Sequence, residues 1–323
     1  MSTHAIPASR SAISKPITPG LRRFGWFVLA YNVLVVLWGA VVRATGSGAG
    51  CGDHWPLCNG VAIPQFAQLH TVIEFTHRLM SGAALILVAV FLIWTWRATQ
   101  RGALARWAAV ASMILVMNEA LLGALLVLLR LVAHNQSAAR GVYLSFHFAN
   151  TLLLLAGLTL AAEFLSRPRM RSTTQWKKGA VLVPMLGLIA TLIVGVSGSL
   201  AALGDTLYPA TSLAHALQQD FSGTGSLLLR LRWLHPACAV IAGVFLVWLI
   251  VQSLGKDASN RGRKLAIALL ALLLAQYAIG TINILLLAPL WIQITHLLFA
   301  DLLWICLILL TTDFCLVRRS ISA

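Results

Sequence analysis

Apolar residues run through this chain in long uncharged blocks, parted by short polar stretches. That is the pattern of helices that cross a bilayer. Eight blocks stand out, at 24–42, 71–96, 107–129, 143–165, 179–203, 231–253, 265–287 and 292–317. Each is long enough to span about 30 Å of hydrocarbon with some tilt. Lipid offers no hydrogen bonds to a backbone, so spans of this kind satisfy their own as helices. The pattern therefore predicts an all-α integral membrane protein with eight transmembrane helices.

Composition agrees, and the placement of charge adds a topology. Of 323 residues, 59% are hydrophobic and 10% charged, whereas a soluble domain carries about a quarter charged. The net charge of +15 would suit a nucleic-acid partner if it were gathered on one surface. Instead it follows the spans. With the N-terminus inside, the cytoplasmic segments hold 18 of the 24 Lys and Arg residues. The outer segments hold Arg43, Arg130, Arg140, Arg230 and Arg232, and Arg78 lies within a span. That bias puts both termini in the cytoplasm. The basic excess then reads as topology plus attraction to anionic lipid, with no nucleic-acid site. The first 20 residues lack acids and contain Arg10 and Lys15, as a mitochondrial presequence can. Pro7, Pro16 and Pro19 interrupt any amphipathic helix there. Residues 1–23 thus read as the cytoplasmic tail of a protein of the bacterial inner membrane, the mitochondrial inner membrane being the alternative.

Four spans return the chain to its starting side, so spans 1–4 and 5–8 can be parallel repeats. Thr45-Gly-Ser-Gly-Ala-Gly-Cys-Gly-Asp53 follows span 1, and Ser197-Gly-Ser-Leu-Ala-Ala-Leu-Gly-Asp205 is expected to follow span 5. Spans 2 and 6 carry His77 and His235 near their starts. Spans 4 and 8 carry His147 and His296, and Leu122-Gly123-Ala124 matches Ile279-Gly280-Thr281 in spans 3 and 7. These matches predict two pseudo-symmetric four-helix bundles, at 24–170 and 171–323.

The chemistry follows from the histidines. Each even span begins outside and has one histidine four to six residues in, so the four lie at similar depth, two per bundle. An intramembrane histidine can simply bond a neighbouring helix, but ionisable groups in spans are costly and usually line a functional interior. Two imidazoles facing across a bundle can ligate one haem iron from both sides. Zinc wants four ligands, and each bundle offers two clear ones. His4, His54, His70, His134 and His215 fall in the tail or outer loops, where solvated histidine is the default.

The halves differ in polar equipment. Cys51 and Cys58 sit in the first outer loop, where an oxidising compartment permits a disulfide; two separate thiols, a structural staple and a redox pair all remain open. Glu74 lies three residues before His77 on the same helical face, whereas the corresponding residue before His235 is Arg232. A carboxyl group beside one haem can act as general base on water, which makes the first bundle the chemical one and the second an electron relay. Arg43 and Arg78 are candidates for haem propionate contacts, with headgroup contact or a salt bridge to Glu74 as the plainer readings. Glu119 and Asp301 are further acids within spans, read as bundle-interior hydrogen-bonding groups. Cys238, Cys306 and Cys315 read as packing residues.

Taken together, Gly39-Ala-Val-Val-Arg43-Ala-Thr-Gly-Ser-Gly48, Cys51-Gly-Asp-His-Trp-Pro-Leu-Cys58-Asn-Gly60, Glu74-Phe-Thr-His77-Arg78 and the later histidines resemble the haem A synthase family. His54 is an insertion in the usual loop and Gly52 replaces a proline, but the cysteine spacing is kept. The resemblance covers everything after the tail. It implies oxidation of the C8 methyl of haem O to a formyl group by successive hydroxylations with water-derived oxygen, giving haem A for terminal oxidases. It further implies that His77 and His147 hold the substrate haem, with Glu74 as the catalytic acid–base group. His235 and His296 would hold a cofactor haem b, and Cys51 and Cys58 would form a disulfide. The implied partners are haem O synthase (protohaem farnesyltransferase), terminal oxidase assembly factors, the lipid bilayer and an electron acceptor that the residues do not identify. Two rivals stand beside this reading. A bis-histidine dihaem cytochrome b would pass electrons without haem chemistry, and a haem or small-solute transporter would need helices broken near mid-membrane.

Overall fold

The computed structural model describes residues 17–65, 68–167, 181–222, 226–255 and 258–315. Among the described residues eight helices are long and apolar enough to cross a membrane, and the chain is a multi-pass membrane protein. They are α1 (Pro19–Ala44), α2 (Leu69–Ala98), α3 (Leu104–Leu128), α4 (Ala138–Ser166), α5 (Leu182–Leu207), α8 (Leu234–Leu254), α9 (Asn260–Leu285) and α10 (Leu290–Cys315). Two short helices, α6 (Leu213–Phe221) and α7 (Leu227–Leu231), lie between α5 and α8.

Several helices begin earlier than the apolar blocks. Thr18 Oγ1 caps Leu21 N at 3.4 Å with Pro19 in the first turn, and Ser137 Oγ caps Arg140 N at 3.3 Å. Side-chain oxygens at these positions satisfy amide groups that a helix start leaves open, so polar residues fold into first turns that a hydropathy pattern passes over. His147 is therefore the tenth residue of α4, and His77 is the ninth of α2, whose start has no side-chain cap; both are deeper than the expected four to six. His296 is the seventh residue of α10, while His235 is the second of α8.

The first repeat match needs correction. Ser197–Asp205 does not follow the fifth span but lies inside α5. Leu200, Ala201, Ala202 and Leu203 are good helix formers, whereas Gly46, Gly48, Gly50 and Gly52 end α1 in an open loop. Gly46 takes φ +68°, the left-handed conformation that glycine adopts without strain. Helix α6 was also unforeseen, since nine residues are too few for a span. It is held by Arg232, whose guanidinium donates to Asp220 at 2.7 Å, Gln219 Oε1 at 3.1 Å and Asp205 at 3.1 Å.

Packing closes two rings. α1, α2, α3 and α4 pack in sequence with α4 returning to α1, and α5, α8, α9 and α10 do likewise. α4 lies against α5 and α10, and α1 against α10. One apolar cluster runs through both rings, from Leu21 and Phe91 through Leu155 and Leu158 to Trp304 and Leu307. The expected bundle boundary at 170/171 lies outside the described residues. α4 is the innermost span: 78% of its apolar window is buried, against 44% or less elsewhere. Lipid covers the remaining helix faces, so their exposed leucines and isoleucines need no partner.

Polar clamps tie the rings at three depths. Arg43 of α1 donates to Ala202 O at 2.6 Å and Thr206 Oγ1 at 2.7 Å on α5, and to Gln293 Oε1 at 2.8 Å on α10. Near mid-helix, Trp304 Nε1 donates to Leu152 O at 2.7 Å. At the opposite end, Glu163 of α4 takes Arg167 at 2.7 Å and both guanidinium nitrogens of Arg261, while Asp313 takes Arg167 at 2.7 Å and Ser259 Oγ at 2.6 Å. Single acids at span ends look like ordinary interfacial charges, so the amino-acid order alone does not reveal the clamps that Glu163 and Asp313 make.

Candidate functional site

Each of the four histidine rings lies against a glycine of the preceding span in its ring. A Cβ added to Gly39 would sit 3.1 Å from His77 Cε1, and one on Gly123 would sit 3.7 Å from His147 Cε1. The same distances are 2.9 Å for Gly198 and His235, and 3.0 Å for Gly280 and His296. Glycine lets the backbone approach the imidazole closely, and the same pairing occurs four times. It also gives a better register for the two halves than the loop match did: Gly39, not Gly46, corresponds to Gly198.

In the second ring the two imidazoles face one another. The centres of His235 and His296 are 6.3 Å apart with planes at 90°. A metal–imidazole bond is about 2.0–2.1 Å. Two ligating rings on opposite sides of one iron therefore have centres about 6 Å apart, and this pair fits a haem between them. His235 Nδ1 has Ser197 Oγ and Val194 O, each at 3.2 Å, which orients the ring. Nδ1 of His77, His147 and His296 is buried without a hydrogen bond among the described residues.

The first ring differs by one polar assembly built on the loop between α1 and α2. Cys51 and Cys58 form a disulfide, and both are buried. The loop leans on the first turns of α2. Thr71 Oγ1 donates to Gly50 O at 2.8 Å, and Ser47 Oγ lies 2.9 Å from His70 Nδ1. Gly50 approaches so closely that a Cβ would stand 2.4 Å from His70 O. Glu74, buried at 3% exposure, accepts the Cys51 N–H at 2.8 Å with Oε2 and the Arg78 guanidinium at 2.5 Å with Oε1. Arg78 also donates to His54 O and Leu57 O, each at 2.7 Å. One carboxyl group thus joins the disulfide loop to the helix of His77, with the salt bridge to Arg78 that the plainer sequence reading named. Arg78 spends four of its five N–H groups on this loop and on Glu74, while Arg43 points into the other ring.

The remaining acids part company. Glu119 lies beside His147, with Oε1 3.5 Å from Nδ1. It accepts Thr151 Oγ1 and Asn150 Nδ2, each at 2.5 Å. Asp301 is fully buried in α10, and neither of its oxygens has a hydrogen-bond partner among the described residues. His70 is exposed, but its ring is engaged with Ser47.

Four glycine-backed histidines in two rings, with a disulfide loop over one of them, coincide with what comparison of the sequence finds. The COX15-CtaA family, described as cytochrome oxidase assembly protein, matches residues 22–308. The chain belongs to that family. It is similar to a protoheme IX farnesyltransferase of Thermus thermophilus, at 44% identity over 302 residues that make up 92% of this chain and 49% of the relative. It is also similar to the heme A synthase of Geobacillus kaustophilus, at 28% identity over 88% of this chain and 89% of that one. The heme A synthase of Shouchella clausii is 38% identical over 141 residues, 44% of each chain. The chain thus spans about half the length of the Thermus relative. The haem A synthase resemblance read from the motifs agrees with the family match.

Proposed function

We propose that this protein is a haem A synthase of the bacterial cytoplasmic membrane. It oxidises the C8 methyl of haem O by two successive hydroxylations with water-derived oxygen, each releasing two protons and passing two electrons to an external acceptor. Loss of water from the resulting geminal diol leaves the formyl group. The observation that carries this reading is the asymmetry between two otherwise similar histidine sites. Each holds two glycine-backed histidines, but among the described residues the first ring alone sets a buried carboxyl group, hydrogen-bonded to a disulfide loop, one turn from a histidine.

In this reading His77 and His147 hold the substrate haem, and Gly39 and Gly123 leave room for the rings to lie against their helices. Glu74 takes up a proton as water attacks the oxidised methyl, and Arg78 and the Cys51 amide hold its carboxyl group in place. The loop closed by Cys51–Cys58 covers the outer end of the site and limits access of bulk water. A site open to lipid suits a substrate that carries a farnesyl tail. A b-type haem between His235 and His296 would accept and pass on single electrons; His235 is oriented for this by Ser197 and Val194 O. Arg43, joined to α5 and α10, sits where it can meet a haem propionate of the second ring or keep the rings in register. Both termini are cytoplasmic by the charge bias, which places the disulfide loop outside.

The Thermus relative is named for the farnesylation that makes haem O, and half its length resembles this chain. That supports a haem O synthase as the partner that delivers substrate, with terminal oxidase assembly downstream. A second reading, a dihaem cytochrome b that only passes electrons, draws on the recurrence of the glycine–histidine contact in both rings. Co-expression with a haem O synthase in a host lacking haem A, followed by chromatography of the extracted haems, separates the two. Haem A in the extract is the expected result. Haem b alone, with haem O supplied, would establish the cytochrome.

A further inference from the structure

We infer that Glu119 is a positioning residue for His147, and that the exchange of this acid for Gln276 makes the two haem sites electronically unequal. The inference rests on the reading of His147 and His296 as haem ligands.

Glu119 stands four residues before Gly123, the glycine that backs His147. Gln276 stands four residues before Gly280, the glycine that backs His296. The two side chains thus stand at the same place along their helices, one turn from the same contact, but they meet different nitrogens of the ring. Each reaches the ring beside it: Glu119 Oε1 is 3.5 Å from His147 Nδ1, and Gln276 Nε2 is 3.4 Å from His296 Nε2. The chemistry differs. One histidine has a carboxyl group at its flank, the other an amide.

The carboxyl group of Glu119 is not loose. Thr151 and Asn150, both buried on α4 just past His147, donate to its two oxygens at 2.5 Å, and Asn118 Nδ2 holds Asn150 Oδ1 at 2.8 Å. His147 Nδ1 has no hydrogen bond of its own among the described residues, and Glu119 Oε1 is the acid oxygen beside it. The last torsion of a histidine is broad, so a small ring rotation closes 3.5 Å to a hydrogen bond. An Nδ1–H donated to a carboxyl oxygen fixes the ring with Nε2 toward the bundle core and raises its basicity as a ligand. A more basic axial ligand favours the oxidised iron, one of the levers by which a protein sets haem potential. The site with Glu119 is therefore the one biased toward the oxidised state, and it is the site to which haem oxidation is assigned.

The test uses the full-length protein in detergent, with haemin as the probe. Haemin titration and redox titration are run on wild type, Glu119→Gln and Gln276→Glu. Wild type should take up two haemins with two resolved midpoints; failure to do so would overturn the haem-ligand reading itself. Glu119→Gln should weaken haemin binding at one site by about 10–100-fold, the usual effect of losing a partner of a metal-ligating histidine. It should also raise the midpoint of that haem and leave the other unmoved. Gln276→Glu should lower the second midpoint by its charge alone, because it meets Nε2 rather than Nδ1. Glu119→Asp, measured in the same way, should shift the first site as Glu119→Gln does and carries the test if that variant fails to fold. Unchanged affinity and midpoints in folded variants, with or without a lower melting temperature, would make Glu119 a helix staple and overturn the inference.

Discussion

Glu74 Oε2 accepts the backbone N–H of Cys51 at 2.8 Å, so the acid three residues before His77 is also the peg on which the disulfide loop hangs. Glu74→Gln separates these two duties. The amide oxygen can still accept the Cys51 N–H, while the proton-accepting carboxyl group and its ion pair with Arg78 are lost. Haem O should remain bound through His77 and His147, and haem A formation should fall by something like the 10²–10⁴-fold typical of lost general-base assistance. Glu74→Ala should go further and loosen the loop. Quantifying the haems extracted from each variant tests this; near-normal haem A from Glu74→Gln would return the residue to a purely structural role.

The loop itself offers a test of topology. An impermeant maleimide applied to intact cells should label Cys51 and Cys58 only after reduction. Labelling without reductant would mean that no stable disulfide forms. Labelling confined to lysed cells would place the loop on the cytoplasmic side and reverse the orientation inferred from the arginines and lysines.

The glycine–histidine contacts predict a graded response. Alanine at Gly198 or Gly280 would bring a methyl group to 2.9 or 3.0 Å from an imidazole carbon, and the ring must move. Overpacking of this kind costs about 1–3 kcal/mol and should shift or abolish the b-type spectrum, as His235→Ala and His296→Ala should. Gly39→Ala, at 3.1 Å, should disturb only the substrate site. Gly123→Ala, at an ordinary 3.7 Å, should be tolerated. Absorption spectra of the four purified variants decide the order; equal effects at all four would dissociate the glycines from haem binding.

Glu163 should matter to stability alone. Removing one partner of a buried ion pair costs about 3–5 kcal/mol, and the cost here is smaller because Arg167 and Arg261 are 25% and 36% exposed. Glu163→Ala should lower the melting temperature in detergent while leaving haem content per folded molecule unchanged. Loss of haem from folded protein would tie this end of the molecule to the sites.

What amino-acid order determined alone is the part of the protein governed by the solvent. Uncharged blocks about 20 residues long have one good conformation in lipid, so the eight spans and the histidines within them were legible directly. Cys51, Cys58, Glu74 and His77 were legible because their spacing is local to one loop and one helix turn. Only tertiary structure decided which glycine serves which histidine. Gly39 and Gly46 look equally plausible along the chain, but only Gly39 lies within a helix that packs against α2. Tertiary structure likewise gave Glu119 its partners, joined α1 to α5 and α10 through Arg43, and set Glu163 between Arg167 and Arg261. These contacts link residues distant in sequence across helix interfaces. Hydropathy records how each residue partitions into the membrane but not the rotation of its helix about its axis, and that rotation chooses the neighbour.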